Sequence, residues 1–333
     1  MLPIVQSEMT ALLENLRLLE TLVTAPLGLH SDIKMLRQSL PIEGASDLES
    51  DELRKRRSDI SKSIEDVSFM ALNTIGNISA SLTLLDSFKS ESGCNLTETW
   101  IDRARKILIR SKEKVTIKIR QVSIEKLKGL YVIIDPQVTG GRSVIEVAEA
   151  VLKGGASAIQ YRDKISDKSL ILKNSLDLKT LCNSHNALFI VNDYADIANL
   201  SHANGLHIGQ KDLSVESSRL ITSDAQIIGK SNNTIDEAIS SQSEAPDYLA
   251  IGPIYSTSTM GKDLKQPVGT DTIKEVKSRG IPVLVAIGGI NIDNADSVSN
   301  AGADSICVAS AVTLAENPEI ATSKLVDILK SKG

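Results

Sequence analysis

Two aspartates end short apolar runs: Leu188-Phe-Ile-Val-Asn192-Asp193, and Gly205-Leu-His207-Ile-Gly209-Gln210-Lys-Asp212 about twenty residues later. Short apolar runs bounded by polar residues read as buried strands of a parallel sheet. Functional groups of such sheets gather beyond the carboxyl ends of the strands, so both aspartates would project into one mouth. Two carboxylates there are costly to leave unpaired, and a hard divalent cation such as Mg2+ would neutralise them. The competing reading is that either aspartate caps the helix that follows it.

Other runs end in groups of complementary chemistry. Gln160-Tyr-Arg162-Asp-Lys164 places an amide, a guanidinium and an ammonium on one face by period-two alternation. Two cations beside two metal-binding aspartates suit a polyphosphate held with Mg2+; a strand end salt-bridged to Asp163 is the alternative. Lys230-Ser231-Asn232-Asn233 and Gly252-Pro253, with Thr257 and Thr259 beyond, add hydroxyls and small residues. Gly288-Gly289-Ile290 and Val308-Ala309-Ser310-Ala311 lie where barrels of this kind usually cradle a phosphate. Tight turns that need glycine explain Gly288 and Gly289 equally well taken alone. Together the loops imply two anionic groups at opposite sides of one mouth. His30, His185 and His202 lack partners at metal spacing and read as surface or packing residues, whereas His207 faces the mouth or the interior. A structural hydrogen bond is preferred to catalysis for it. No nucleophile elbow or Cys/His pair is present, so covalent catalysis is not indicated.

The elements that must position these groups divide the chain in two. From Gly129 onward, eight apolar runs begin near Leu130, Ala158, Leu188, Gly205, Gln226, Tyr248, Pro282 and Ser305, with helical patterns between them. That count predicts an α/β fold, a closed (β/α)8 TIM barrel over 129–333. An open dinucleotide-binding sheet would carry a Gly-x-Gly-x-x-Gly turn, and none is present. Residues 1–128 predict an all-α N-terminal domain. Val5, Met9, Leu12, Leu16, Leu19 and Val23 recur at helical spacing, and Ile60 to Leu85 suggest a long helix broken near Gly76. Residues 100–128 carry ten Lys or Arg and read as a helix with a solvated basic face, although Val115 to Ile119 alternates like a strand. The leucine stripes are core or a homo-oligomer interface.

Composition narrows the class. A formal charge of -5 argues against a general nucleic-acid binder. Cys94, Cys182 and Cys307 lie far apart, which suits a reducing cytoplasmic setting. The apolar runs are shorter than the roughly 20 residues that span a bilayer, and the start lacks a basic region followed by an apolar one, so no membrane role is expected.

In order along the chain, Tyr131 to Asp135, Gln160-x-Arg162-x-Lys164, Val191-Asn192-Asp193, His207-x-Gly209-Gln210-x-Asp212, Gly229-x-Ser231, Gly252-Pro253 with Thr257-x-Thr259, Ala286 to Ile290, and Ser310-Ala311 resemble the thiamine phosphate synthase family. The resemblance covers 129–333. It implies a transferase that joins 4-amino-2-methyl-5-hydroxymethylpyrimidine diphosphate to 4-methyl-5-(2-phosphoethyl)thiazole, plain or carboxylated, giving thiamine phosphate and pyrophosphate with Mg2+ as cofactor. Carried over residue by residue, Gln160, Arg162, Lys164 and Asn192 would hold the pyrimidine diphosphate, and Asp193 and Asp212 the metal. Ser231 would lie beside the pyrimidine or diphosphate. Thr257 and Thr259 would meet the thiazole phosphate or the leaving group, and Gly289, Ala309 and Ser310 would cradle the thiazole phosphate. The catalytic set implied is Arg162, Lys164, Ser231 and Lys262. Lys262 enters because Met260 and Gly261 stand where the family has its lysine, and Asn233 replaces a frequent histidine.

Ahead of the barrel, Leu16-Arg17-Leu-Leu-Glu20, Ile33-Lys34-x-Leu36-Arg37 and Leu82 to Phe88 look like the helical domain fused before the synthase in some bacteria and assigned to the preceding pyrimidine phosphate kinase step. Thr10-Ala-Leu-Leu13 replaces its arginine-rich motif, which implies a degenerate copy. Two rival functions remain: a thiazole tautomerase-like protein, and a catalytically impaired phosphate-ligand sensor or scaffold. Intact Gln160, Arg162, Lys164, Asp193 and Asp212 speak against the tautomerase.

Overall fold

The computed structural model describes residues 3–24, 30–46, 64–88, 96–257, 266–281 and 283–330. The chain forms two compact units, Met1–Val122 and Ser123–Gly333.

The first unit is helical among its described residues: α1 (Pro3–Thr24), α2 (His30–Gln38), α3 (Ile64–Ser87) and α4 (Glu98–Leu127), whose last turns belong to the second unit. Val5, Met9, Leu12, Leu16, Leu19 and Val23 are all buried, as the apolar stripe of α1 requires. α3 runs through Gly76 without a break. Gly76 lies on the exposed face, where its cost of roughly 1 kcal/mol relative to alanine is outweighed by burial of Ala71, Ile75, Ile78 and Leu82 on the other. Val67–Ser87 is also long and apolar enough to cross a membrane by length and composition, with mean hydropathy 1.2. It packs on α1 as a bundle helix, and its serines, threonines and asparagines interrupt the apolar pattern that a search for unbroken runs detects. In α4, Val115 and Ile119 are one turn apart and both buried, so their spacing belongs to a helix.

Arg37 ties the turn after α2 to α1. Fully buried, it donates from Nε to Glu20 Oε2 at 2.6 Å and also to the Ala45 carbonyl. Glu20→Ala is expected to destabilise this unit by about 2 kcal/mol, because it removes a charged hydrogen bond from a buried guanidinium. Urea unfolding followed by far-UV circular dichroism measures the loss.

The second unit is a closed barrel of parallel strands in sequence order: β1 (Gly129–Ile134), β2 (Ala158–Tyr161), β3 (Leu188–Asn192), β4 (Gly205–Ile208), β5 (Ile227–Asn232), β6 (Tyr248–Ile251), β7 (Leu284–Ile287) and β8 (Ser305–Val308). All eight expected runs form strands. Alternate residues serve two cores. Tyr131, Ile133, Ile190, Tyr248, Val285 and Cys307 fill the interior, whereas Val132, Phe189, Leu206, Ile228 and Leu249 pack outward against the helices. Ile124 and Leu127, from the end of α4, join the interior cluster just before β1 begins. The lower end is thus plugged with apolar side chains, and polar groups collect at the other.

Candidate active site at the barrel mouth

A cavity of about 830 Å³ opens at the carboxyl ends of the strands. Arg162, Lys164, Asn192, Asp193, Asp212, Ser231, Thr257, Gly289, Ala309 and Ser310 all line it. Gln160 is buried beneath that lining, with Nε2 donating to the Tyr131 hydroxyl at 2.7 Å. Thr259 and Lys262, with Met260 and Gly261, lie outside the described residues. The cavity also holds groups that the strand-end pattern does not single out, including Lys211, Glu237 and Cys307. Lys211 follows Gln210 in a loop, where alternation no longer assigns a face.

The two cations are pinned by carboxylates other than Asp163. Arg162 Nη1 pairs with Asp135 Oδ2, and Lys164 Nζ with Asp193 Oδ2. Asp163 is engaged elsewhere. Burial favours its neutral form, but the backbone N–H groups of Ser166 and Ile165 and the Tyr161 hydroxyl outweigh this and hold it below the usual carboxylate range. Burial pushes Lys164 below an ordinary lysine, Asp212 opposes this, and Arg162 adds to it.

Neither metal-candidate aspartate is a helix cap. The helix Ala195–Leu200 begins at Tyr194 with no side-chain cap bond, and Val215–Arg219 is capped by Ser214. Asp212 instead accepts the Gly209 N–H at 2.7 Å, closing its own loop. Asp193 has φ of +62°, a left-handed conformation that aspartate tolerates better than most residues. Its N–H donates to the His207 carbonyl at 2.8 Å, which ties the end of β3 to β4. Among the described residues no group of three or more His, Cys, Asp or Glu could hold a metal. Two aspartates in a shared cavity, one of them already facing an ammonium, are compatible with Mg2+. That ion commonly takes one or two carboxylates and completes its octahedron with water and phosphate oxygens.

Ser231 Oγ lies 2.7 Å from His207 Nε2, and His207 Nδ1 lies 2.9 Å from the Tyr248 hydroxyl. Burial lowers the His207 pKa to about 4, against a weaker opposing pull from Asp212. The unfolded chain then takes up this proton first as pH falls from about 6.5, so stability declines down to about pH 4 and levels off below. The loss amounts to about 3 kcal/mol. A His207→Gln variant is expected to show a correspondingly flatter profile in urea midpoints taken across that range.

Gly288 and Gly289 have φ of +100° and +65°, and a Cβ would stand 2.5 Å from Pro253 Cα at the first and 2.6 Å from the Ser256 carbonyl oxygen at the second. Both glycines are therefore required by the backbone itself, which leaves the loop after β7 lying close against the segment after β6. Covalent chemistry finds no support among the described cysteines. Cys182 and Cys307 are buried, and burial pushes the Cys182 thiol up to about 12.

Comparison with known proteins agrees with this geometry. A family profile described as thiamine monophosphate synthase matches residues 130–312. A thiamine-phosphate synthase of Methanospirillum hungatei is 40% identical over 201 residues, covering 60% of this chain and 97% of that protein. One from Thermosynechococcus vestitus is 32% identical over 251 residues, 75% of this chain and 70% of its own, so that match extends ahead of the barrel. Among solved structures, a thiamine phosphate pyrophosphorylase from Pyrococcus furiosus superposes with a TM-score of 0.58 at 33% identity, covering 62% of this chain and 98% of that one. With the barrel matched from its first strand to the loop after its last, and with cations and carboxylates at the strand ends, this chain belongs to the thiamine monophosphate synthase family of enzymes.

Proposed function

We propose that the barrel couples a hydroxymethylpyrimidine diphosphate to a thiazole phosphate, releasing pyrophosphate and forming thiamine phosphate. The observation that carries this is one cavity with Arg162, Lys164, Asp193 and Asp212 on one group of strand ends and Gly288, Gly289, Ala309 and Ser310 on another. Such a cavity suits two phosphorylated substrates. Asp193 and Asp212 would hold Mg2+, which when bound supplies charge neutralisation for the diphosphate. Arg162 and Lys164 bind diphosphate oxygens and stabilise the negative charge that grows on them as the carbon–oxygen bond breaks. Asn192 and Ser231 orient the pyrimidine side, with Gln160 supporting them from beneath. Thr257 lines the cavity and would meet the phosphate groups; the resemblance assigns Thr259 the same role and Lys262 the part of the lysine that Met260 replaces. The thiazole nitrogen then attacks the pyrimidine methylene carbon, and no general base is needed because that nitrogen carries no proton. The helical region, 1–128, acts as a separate domain and offers the surface for any homo-oligomer.

The test is formation of thiamine phosphate by the purified full chain from the two substrates, with Mg2+ and with a chelator. Product that depends on Mg2+ is expected. A folded chain that binds both substrates and makes no product would overturn coupling in favour of a phosphate-ligand sensor.

A further inference from the structure

The interior of the barrel contains a continuous polar path that reaches the cavity. Gln160 Nε2 donates to the Tyr131 hydroxyl at 2.7 Å, Tyr131 and Tyr248 hydroxyls lie 3.3 Å apart, Tyr248 meets His207 Nδ1 at 2.9 Å, and His207 Nε2 meets Ser231 Oγ at 2.7 Å. The path crosses from β2 and β1 to β6, β4 and β5 through an otherwise apolar core. It ends at the only one of these five residues that lines the cavity. We propose that Gln160, Tyr131, Tyr248 and His207 are positioning residues that act as a directed hydrogen-bond relay, fixing Ser231 so that its hydroxyl donates its proton into the mouth.

Direction follows from donor and acceptor counting. The amide nitrogen of Gln160 is a donor only, so the Tyr131 oxygen accepts from it. If Tyr248 also donated to Tyr131, the Tyr131 proton would be left in an apolar interior with no acceptor, a costly arrangement. Tyr131 therefore donates to Tyr248, across the longest link of the path. Tyr248 in turn donates to Nδ1 of His207, which leaves the His207 proton on Nε2, donated to Ser231 Oγ. The Ser231 proton is then free of any partner inside the relay. Its acceptor is a phosphoryl oxygen or ring nitrogen of the bound substrate, and that last link rests on the coupling reaction proposed above.

Gly229 is the feature that makes the path possible. His207, Gly229 and Tyr248 occupy one register level on β4, β5 and β6. A side chain on the middle strand would separate the other two. A Cβ at Gly229 would stand 1.9 Å from Tyr248 Cζ, so the tyrosine ring occupies the space that glycine leaves. The family motif around Gly229-x-Ser231 thus has a physical account: a gap for Tyr248 and, two residues on, the end of the relay.

Two measurements on the full chain test this, and only the second needs turnover. With 15N-labelled histidine, long-range 1H–15N correlation spectra at pH 7.5 report the tautomer of each of the four histidines, and His207→Gln assigns the signal. An Nε2–H tautomer at His207 is expected; an Nδ1–H tautomer reverses the relay and overturns the proposal even if the chain makes no thiamine phosphate. In coupling assays, Tyr248→Phe is expected to lower turnover about 3- to 10-fold, the range of one neutral hydrogen bond, but less than about 2-fold when Ser231 is already alanine. Equal losses in both backgrounds would mean that Tyr248 acts through packing alone.

Discussion

Arg162→Ala is expected to lower the rate of thiamine phosphate formation by about 100- to 1,000-fold, the loss typical of removing one preorganised electrostatic contact to developing charge. The geometry explains why the contact is preorganised. Asp135, only 2% exposed, holds Arg162 through Oδ2 while its Oδ1 accepts the Gln137 N–H at 2.9 Å. One end of the guanidinium is thereby anchored, and the rest is turned toward a cavity that Arg162 lines. Lysine in its place restores the charge but not the planar fork, so Arg162→Lys recovers part of the rate only. The alanine variant also leaves the buried Asp135 carboxylate without its ion pair, and a stability loss of about 2–4 kcal/mol accompanies the kinetic one. Asp135→Asn separates the two effects, because an amide oxygen still accepts from Gln137 while the anchor on Arg162 is lost. Its expected signature is a raised KM for the pyrimidine diphosphate and about a 10-fold fall in kcat/KM. An Arg162→Ala enzyme that turns over at the wild-type rate while folded would show that the diphosphate lies elsewhere.

The barrel and most of its mouth were legible because two-sided burial writes parallel strands as short apolar runs, and the first polar residue after each run marks the open end. That logic reaches Asp193, Asp212, Arg162 and Lys164, all of which line one cavity. It does not give the depth of Gln160. Alternation assigns Gln160 the same face as Arg162, but β2 ends at Tyr161, so Gln160 lies inside the barrel and Arg162 at the rim. Period two gives a face and not a height. Pairings between distant residues are harder still. Asp135 with Arg162, or Gly229 with Tyr248, depend on the register of strands that a single sequence does not print. The helical unit shows the reverse case: Gly76 suggests a break that tertiary burial on the opposite face of α3 overrides.

Asp193→Asn is expected to lower the coupling rate at least about 100-fold, through loss of a charge that faces Lys164 and is proposed to hold the metal. Asparagine is the informative replacement because the backbone at Asp193 is left-handed, with φ of +62°. Asparagine adopts that conformation readily, whereas alanine adds roughly 1–2 kcal/mol of strain at a site whose N–H ties β3 to β4. The two variants therefore divide the effect. If charge is what matters, Asp193→Asn and Asp193→Ala lose similar amounts of rate while only the alanine variant loses stability. If geometry is what matters, asparagine retains most of the rate and alanine does not. Titration with Mg2+ in the presence of inorganic pyrophosphate, followed by calorimetry, gives a readout that does not depend on turnover. Weakened Mg2+ binding in Asp193→Asn and in Asp212→Asn is the expected result, because each removes one of the two aspartates that line the cavity. Unchanged binding in both would remove these aspartates from the metal site and leave Lys164 as the reason for Asp193, since an ammonium and a carboxylate neutralise each other without any metal.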